Sequence, residues 1–322
     1  MPLPTDPAVR ATSIALADTI KDIAIQGNGP QPGFRPAHAK GVLVHGLFQA
    51  EPEAAALSKA WHLQGDSITI LARFSNASAD PKIQDGNANS NPRGLAIRFI
   101  QSHAPIRSHT DIITHSVDGF VASTGQEALD FFNAVKNNTL AEHLATAPKA
   151  KAFVEMPKPT PASYGTAKYF GLNTFMFISH EDTETYFRYR IVPEAGEQYL
   201  TAAEAQAKDP SYLLTDLYSR LEKGPIKFKL IAQIAEAGDV TNDCTVKWPE
   251  DRKQVVLGTI ALYAVTGMQK EQQQDMIFDP IPRIDGIEPS DDPLLDIRAG
   301  VYLTSGKRRR AEGEESKGES GL

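Results

Sequence analysis

The stretch FRPAHAKGVLVHGLF, residues 34–48, has an arginine three residues before a histidine and then an alternating run. The alternation from Val42 to Phe48 predicts a β-strand with one buried face. An arginine can hold an anion, and a histidine can transfer a proton near neutral pH. Arg35 and His38 therefore indicate a functional site at the start of this strand. An ordinary surface or core histidine would give the same pattern, so this stretch alone leaves both interpretations open.

Further strands and helices are predicted on both sides of this stretch. Strands are predicted at residues 67–74, 94–100 and 111–116, in the hairpin pair TFMFIS and TYFRYRIVP, and in the runs IKFKLIAQIAE and VVLGTIALYAV. Helices are predicted at residues 8–26, 126–136 and 139–145, in SYLLTDLYSRLEKGP, and in DPLLDIRAGVYLTSGKRRR. This mixture predicts an α+β protein built on a closed antiparallel β-barrel with inserted and flanking α-helices.

The composition and net charge of the chain limit the classes of protein to which it can belong. No composition break divides residues 1–310, which we predict to form one domain, whereas the polar segment 311–322 predicts a disordered tail. The net charge of −7 argues against a nucleic-acid partner. Cys244 is the only cysteine, which suits a reducing compartment. With no signal-peptide pattern and no run near the roughly 20 apolar residues of a membrane span, we expect a cytoplasmic protein. The ending Ser320–Leu322 only loosely resembles a peroxisomal address.

Two arginine-bearing segments could carry chemistry. In ARFSNAS, strand alternation places Arg73 and Ser75 on one face and Phe74 on the other, which suggests an anion site with a hydrogen-bonding partner. A solvated strand edge is the alternative. In NPRGLAIRF, Gly94 allows close backbone approach or a turn, and Arg93 is better explained as structural.

A third pair lies on the last predicted helix. Arg298 and Tyr302 are four residues apart, so their side chains can touch. A guanidinium against the phenol oxygen favours the phenolate, and a phenolate is a recognised ligand of haem iron. An amphipathic helix with a snorkelling arginine would show the same spacing.

Together these segments resemble the haem catalases, and specifically the small catalase-related peroxidases. HAKG, starting at His38, is similar to the distal-histidine motif, and RFS at residues 73–75 followed by NPRGLAIRF is similar to the family's next conserved run. Arg298 and Tyr302 are similar to the proximal motif. The order and spacing hold over residues 30–310.

The resemblance implies roles for the residues on the distal side. His38 is implied as the acid and base, with Ser75 bonded to its imidazole. Aligning Asp111 with the family's strand aspartate places His115 where catalases have a distal asparagine, and Phe120 where an aromatic residue packs near the haem. His115 then replaces the amide that orients peroxide, unless it merely closes a strand, because a shift of one residue reverses the face.

The resemblance also implies how the cofactor, haem b, is bound. Tyr302 would ligate the iron and Arg298 would keep its phenol ionised. Arg35, Arg73 and Arg309 would bind the propionates. The chain is far shorter than a typical catalase and ends soon after the proximal helix.

These expectations define a haem-dependent peroxidase that reduces hydrogen peroxide or organic hydroperoxides with a small organic electron donor. The missing distal asparagine disfavours fast dismutation, so a minimal catalase is the second interpretation. A lipid-hydroperoxide isomerase or dehydratase of the allene-oxide-synthase type and a non-catalytic haem-binding protein are the other two. The expected partners are peroxide, the donor and a second copy of the chain in a homodimer.

Overall fold

The computed structural model describes residues 2–102, 108–267 and 269–319, and it is built around one large antiparallel sheet. Its strands are β1 (Gly41–Ala50), β2 (Ser67–Asn76), β3 (Arg93–Ser102), β4 (Ser108–His115), β5 (Thr160–Pro161), β6 (Tyr169–Phe170), β7 (Phe175–Ile178), β8 (Glu184–Pro193), β9 (Tyr199–Leu200), β10 (Ile226–Ile234), β11 (Gln254–Val265) and β12 (Ile287–Pro289). The sheet closes into a barrel in the order β10–β11–β1–β2–β3–β4–β6–β8, because β8 pairs back onto β10. The predicted closed antiparallel barrel is confirmed.

Helices lie between the strands and against the outside of the barrel. They are α1 (Pro7–Asn28), α2 (Pro52–Leu57), α3 (Gly125–Lys136), α4 (Leu140–Thr146), α5 (Pro148–Glu155), α6 (Ala202–Gln206), α7 (Tyr212–Lys223), α8 (Gln269–Asp275) and α9 (Leu294–Glu319). The first helix packs against both α3 and α9, so a helical layer covers one side of the barrel. No helix of the described residues is long and apolar enough to cross a membrane.

Local sequence explains where the first helix begins and ends. The side chain of Asp6 accepts hydrogen bonds from the backbone N–H groups of Ala8 (2.8 Å) and Val9 (3.0 Å), which satisfies two donors of the first turn. Gly29 ends the helix with a φ of 68°, a conformation that glycine adopts without strain. The predicted helix at residues 8–26 is confirmed.

Strand alternation separates the core from the functional face. Phe74 of β2 and Phe99 of β3 point into the barrel, where they join a fully buried aromatic and aliphatic core. Arg73 and Ser75 point outward instead, and the helical layer covers them, so both are only 4% exposed. The outer face of β2 and β3 is therefore buried under helices and can hold polar groups away from bulk water.

The structure differs from the sequence-based expectation at the end of the chain. The sequence predicts disorder over residues 311–322, but α9 continues to Glu319, and residues 320–322, including the address-like ending, lie outside the described residues. Glu312 forms an ion pair with Lys21 of α1, so this part of α9 is held by a neighbouring helix.

Candidate active site

A cavity lies between the outer face of the barrel and the helical layer. Strands β2, β3 and β4 form one wall, helices α1 and α9 form another, and the segment 276–278 closes it. Six of the nine residues predicted for the site line the cavity, namely Arg35, His38, Arg73, Ser75, Tyr302 and Arg309. Residues far apart in sequence thus meet in one place.

His38 is held in a fixed position just before β1. Its φ is 57°, an uncommon conformation for a non-glycine residue that often marks functional sites. Its backbone N–H donates to the carbonyl of Ala77 (3.1 Å), and its ring Nδ1 lies 3.0 Å from Ser75 Oγ. A Cβ at Gly94 would lie 3.0 Å from this Nδ1 and 2.6 Å from Ser75 Oγ. Glycine at this position therefore lets the imidazole lie on β3, as the sequence suggested.

The surroundings of His38 keep its imidazole uncharged. Burial, together with the positive charges of Arg73 and Arg35, lowers its pKa to about 4. At neutral pH the ring is therefore a proton acceptor. Because Nδ1 is engaged with Ser75, Nε2 is the nitrogen left for chemistry in the cavity.

His115 lies beside this group but is not among the residues that line the cavity. Ser75, Gly94 and His115 are paired across β2, β3 and β4, so they form one outward-facing row. The positive charge that His115 would carry is opposed by burial, by His38 and by Arg298, and its pKa falls to about 3. The sequence register that puts His115 on the functional face therefore agrees with the strand pairing.

Phe120 is not brought to the cavity wall. It packs in a second hydrophobic cluster among the helices, and its ring lies 6.3 Å from the ring of Phe153. The expectation that it contacts the cofactor was based on alignment alone. The turn after β4 instead directs it toward the helical layer.

Three arginines meet at one end of the cavity. Arg35 donates to the carbonyls of Gln273 and Met276, at 2.9 Å each, and Arg309 donates to the carbonyls of Gln274 and Met276, at 2.7 Å each. Arg73 donates to the side-chain oxygen of Gln273 (2.8 Å). All these acceptors are neutral oxygens, so these hydrogen bonds leave the positive charges uncompensated.

This cluster favours a bound anion. Burial and the charges of Arg73 and Arg309 hold the pKa of Arg35 well below its usual value, and burial and Arg309 lower that of Arg73 to about 9. Arginine stays protonated at neutral pH, so the lowered pKa expresses the cost of burying like charges together. A ligand carrying carboxylates at this end would relieve that cost.

Tyr302 and Arg298 touch on α9 as their spacing predicted. Arg298 Nη2 lies 3.1 Å from the Tyr302 hydroxyl, and its Nη1 bonds Oδ1 of Asn173. Asn173 Nδ2 in turn donates to Asp292 (2.8 Å) just before the helix starts. Burial acts to lower the pKa of Arg298, but the interactions with Tyr302 raise it above its usual value. The guanidinium is thus a fixed positive charge against the phenol.

Sequence reasoning missed three supporting residues. Gln273 bonds Arg73 and also donates to the Gly41 carbonyl (3.0 Å), while Asn173 and Asp292 orient Arg298 as described. Each makes its contact with a residue more than 100 positions away, so no local pattern identifies it. The run of three glutamines at residues 272–274 was the local sequence feature that could have indicated Gln273.

The residues present fit a haem group. The arginine end suits two propionates, and the apolar walls, which include Ile20, Ile113, Phe278 and Val301, suit a flat hydrophobic macrocycle. A phenol with an adjacent guanidinium suits the iron as an axial ligand. The meeting of three arginines whose hydrogen bonds go to neutral oxygens is the structural observation that most directly favours such an anionic cofactor.

Comparison with known families supports the same class. A family model described as Catalase matches residues 33–315. A catalase-related peroxidase of Mycolicibacterium paratuberculosis is 39% identical over 298 residues, which cover 89% of this chain and 92% of that protein. A catalase-related peroxidase of Synechococcus elongatus is 33% identical, covering 89% of this chain and 86% of that protein.

Solved catalase structures share the fold. A bacterial catalase superposes with a TM-score of 0.75 at 22% identity, over 88% of this chain and 59% of that chain. Catalase A from Saccharomyces cerevisiae gives a TM-score of 0.76 at 20% identity, over 88% of this chain and 62% of that chain. This chain therefore matches the two catalase-related peroxidases over most of their length, whereas it covers only 59% and 62% of these two larger catalases.

Proposed function

This chain belongs to the catalase family, and from that premise we propose that it reduces peroxide at a haem bound in the cavity between the barrel and α9. It is a haem peroxidase, an oxidoreductase that acts on peroxide, in line with its similarity to catalase-related peroxidases over most of its length. The observation that carries the proposal is the meeting of His38, Tyr302 and three arginines around one cavity.

The residues that would hold the cofactor follow from their contacts. Tyr302 would ligate the iron and Arg298 would donate a hydrogen bond to its oxygen. Arg35, Arg73 and Arg309 would pair with the propionates. When bound, haem supplies the two-electron oxidation and reduction chemistry of peroxide. We propose haem b, held without covalent attachment, because Cys244 lies in the helical cluster and not at the cavity.

His38 would move the proton. Its neutral Nε2 would take a proton from one oxygen of peroxide and return it to the other, so that water can leave. Ser75 holds the ring through Nδ1, and Gly94 leaves room for it. General acid–base catalysis of this kind typically contributes about 10²–10⁴-fold.

We propose that the returning electrons come mainly from a small organic donor. His115 stands in the row beside Ser75 and Gly94, and an imidazole there would not orient a second peroxide as an amide does. The cytoplasmic location and the homodimer stay predictions from the sequence.

The test measures the absorption spectrum of the haem-loaded protein first and its turnover of peroxide second. The protein is reconstituted with one equivalent of haem, and Tyr302→Phe should lose the tyrosinate-ligated ferric spectrum and weaken haem binding. His38→Ala should keep the spectrum but lower oxidation of a phenolic dye by about 10²–10⁴-fold. His45→Ala, at an exposed histidine of β1, the strand that follows His38, is the matched control. An unchanged spectrum in Tyr302→Phe would contradict the assignment of the ligand, and oxygen evolution without dye oxidation would indicate a minimal catalase.

A further inference from the structure

A second cavity adjoins the first at its arginine end. The two share Ala17, Arg35, Pro36 and Ser305 as lining residues. The second has a volume of about 280 Å³. An apolar cavity of about 150 Å³ is known to hold benzene, so this one has room for a single substituted ring.

The walls of this second cavity are largely apolar. Ala24 and Ile25 of α1 form one side, and the loop after α1 contributes Pro30, Pro32 and Phe34. Phe34 is 42% exposed, so much of a large aromatic side chain is open to a partner. Proline and aromatic faces suit contact with a flat ring.

Charged pairs border the apolar walls. Lys21 of α1 is ion-paired with Glu312 of α9, and both line the cavity. Arg308, which also lines it, is paired with Asp18 at 2.6 Å. An apolar floor with a polar border is the usual form of a site for a small amphipathic ligand.

We propose that this second cavity binds the electron donor and that the donor is a small aromatic alcohol of the phenol class. The proposal rests on the proposed peroxidase function. Arg35 belongs to both cavities, so a ring in the second would lie against the side chain that is proposed to hold a propionate. His38 lines only the first cavity, so peroxide and donor would not compete for one position.

The chemistry balances with peroxide as the oxidant. Each of two phenols loses one electron and one proton and leaves as a phenoxyl radical. Hydrogen peroxide gains those two electrons and two protons, its O–O bond breaks, and two molecules of water form. The second cavity therefore needs to release a radical product after each electron, which its position at the protein surface allows, since Ile25 and Phe34 are both exposed.

The experiment fills the cavity and measures binding as well as turnover. Ala24→Trp places an indole in the second cavity, and Gln26→Trp places the same group on an exposed site of the same helix as the control. The probe is guaiacol. Its dissociation constant for the resting haem-loaded protein is read from the relaxation of its proton NMR signals by the ferric iron, in the absence of peroxide.

We expect Ala24→Trp to raise the dissociation constant and the KM of guaiacol by about tenfold or more, equivalent to about 1.4 kcal/mol of lost binding. The KM for hydrogen peroxide and the haem spectrum should stay unchanged, and Gln26→Trp should behave as the wild type. Unchanged guaiacol binding in Ala24→Trp would overturn the proposal.

Two further outcomes separate the site from the function. If Ala24→Trp weakens binding of a linoleic acid hydroperoxide but not of guaiacol, the cavity holds a lipid chain and the proposal is wrong. The wild type could also bind guaiacol, and Ala24→Trp fail to bind it, while the wild type only evolves oxygen from peroxide. That result would support the binding site and contradict the peroxidase function.

Discussion

At the scale of single residues, the charge state of His38 controls the proposed chemistry. Its imidazole is neutral at pH 7 because burial, Arg73 and Arg35 all oppose a positive charge, and its pKa is about 4. An unperturbed histidine, with a pKa of about 6.5, would be half protonated at mildly acidic pH. Arg73 and Arg35, which we propose as ligands of an anion, thus also keep the base unprotonated.

This charge state predicts the pH dependence of peroxide reduction. The active form of His38 is unprotonated, so the rate should stay level from pH 8 to about 5 and fall as the pH drops through about 4. The measurement is the rate of peroxide consumption after a rapid pH jump, which limits acid unfolding. A fall centred near 6.5 would contradict the effect of burial and the arginines, and the low rate of His38→Ala should show no such fall.

A second residue-scale prediction concerns His115. In His115→Asn an amide, which carries both a donor and an acceptor, replaces the imidazole in the outward row next to Gly94. We expect the ratio of oxygen evolution to dye oxidation to rise by roughly ten- to a hundredfold, the effect typical of better positioning. The ratio is measured with an oxygen electrode and a dye assay on the same sample. An unchanged ratio with an intact haem spectrum would show that His115 does not select between the two reactions.

At the scale of secondary-structure elements, one ion pair holds the cavity's closing segment. Arg98 of β3 and Asp111 of β4 are opposite in register and joined by two hydrogen bonds of 2.8 and 2.7 Å. Arg98 also bonds the carbonyl of Ile277, and Asp111 accepts from the backbone N–H of Asp279 (2.7 Å). The pair therefore fixes the segment that carries Phe278 into the cavity wall.

Removing one partner should be more harmful than removing both. Arg98→Met leaves the buried carboxylate of Asp111 unpaired, and we expect a loss of roughly 3–5 kcal/mol of unfolding free energy. The double variant Arg98→Met/Asp111→Leu should recover most of that loss. Urea unfolding measures the free energy of unfolding of both variants. The control is Arg283→Met, which breaks a more exposed ion pair with Asp279 and should cost about 1 kcal/mol or less. Equal losses in the single and double variants would contradict the role of the unpaired charge.

At the scale of the whole molecule, the barrel interior and its outer face have different functions. The interior is an aromatic and aliphatic core, in which Phe177 and Phe187 stack at 3.5 Å and Phe48 meets Phe99 edge to face. The polar site lies outside this core, beneath helices. The barrel can therefore supply stability while the outer face holds buried charges that a core would not tolerate.

One polar group inside the core links global stability to pH. His62 is 1% exposed, and its ring lies 4.7 Å from that of Phe99. Burial lowers its pKa to about 3, whereas in the unfolded chain it titrates near 6.5. Between these two pH values the unfolded chain binds a proton at His62 that the folded protein does not bind. The contribution of His62 to the free energy of unfolding is therefore complete above about pH 6.5 and decreases as the pH falls.

Replacing this histidine should reduce that dependence by its own share, because His38 and His115 also have lowered pKa values and contribute in the same way. From pH 7 to 5 His62 should account for a loss of about 2 kcal/mol, which His62→Phe should remove. Urea unfolding at the two pH values gives the difference, with His45→Phe on the exposed barrel face as the control. The same loss in His62→Phe as in the wild type would show that His62 is not the responsible group.

Short-range patterns in the sequence predicted much of the fold and part of the site. Strand periodicity located β1, β2 and β3, and the spacing of Arg298 and Tyr302 predicted their contact. The alternation in β2 placed Arg73 and Ser75 on one face. The extension of α9 past residue 310 was missed, because its stability depends partly on a contact with α1.

The sequence by itself determined the main strands, the longer helices, the faces of the strands and the residue types of the site, since all of these depend on neighbours a few positions apart. The tertiary structure alone decided that the barrel closes through β8 and β10, that Gln273 and Asn173 support the arginines, and that a second cavity adjoins the first. These features depend on contacts between distant segments. Such contacts stabilise the protein only when the whole chain has packed, and they produce no periodic pattern in the local sequence.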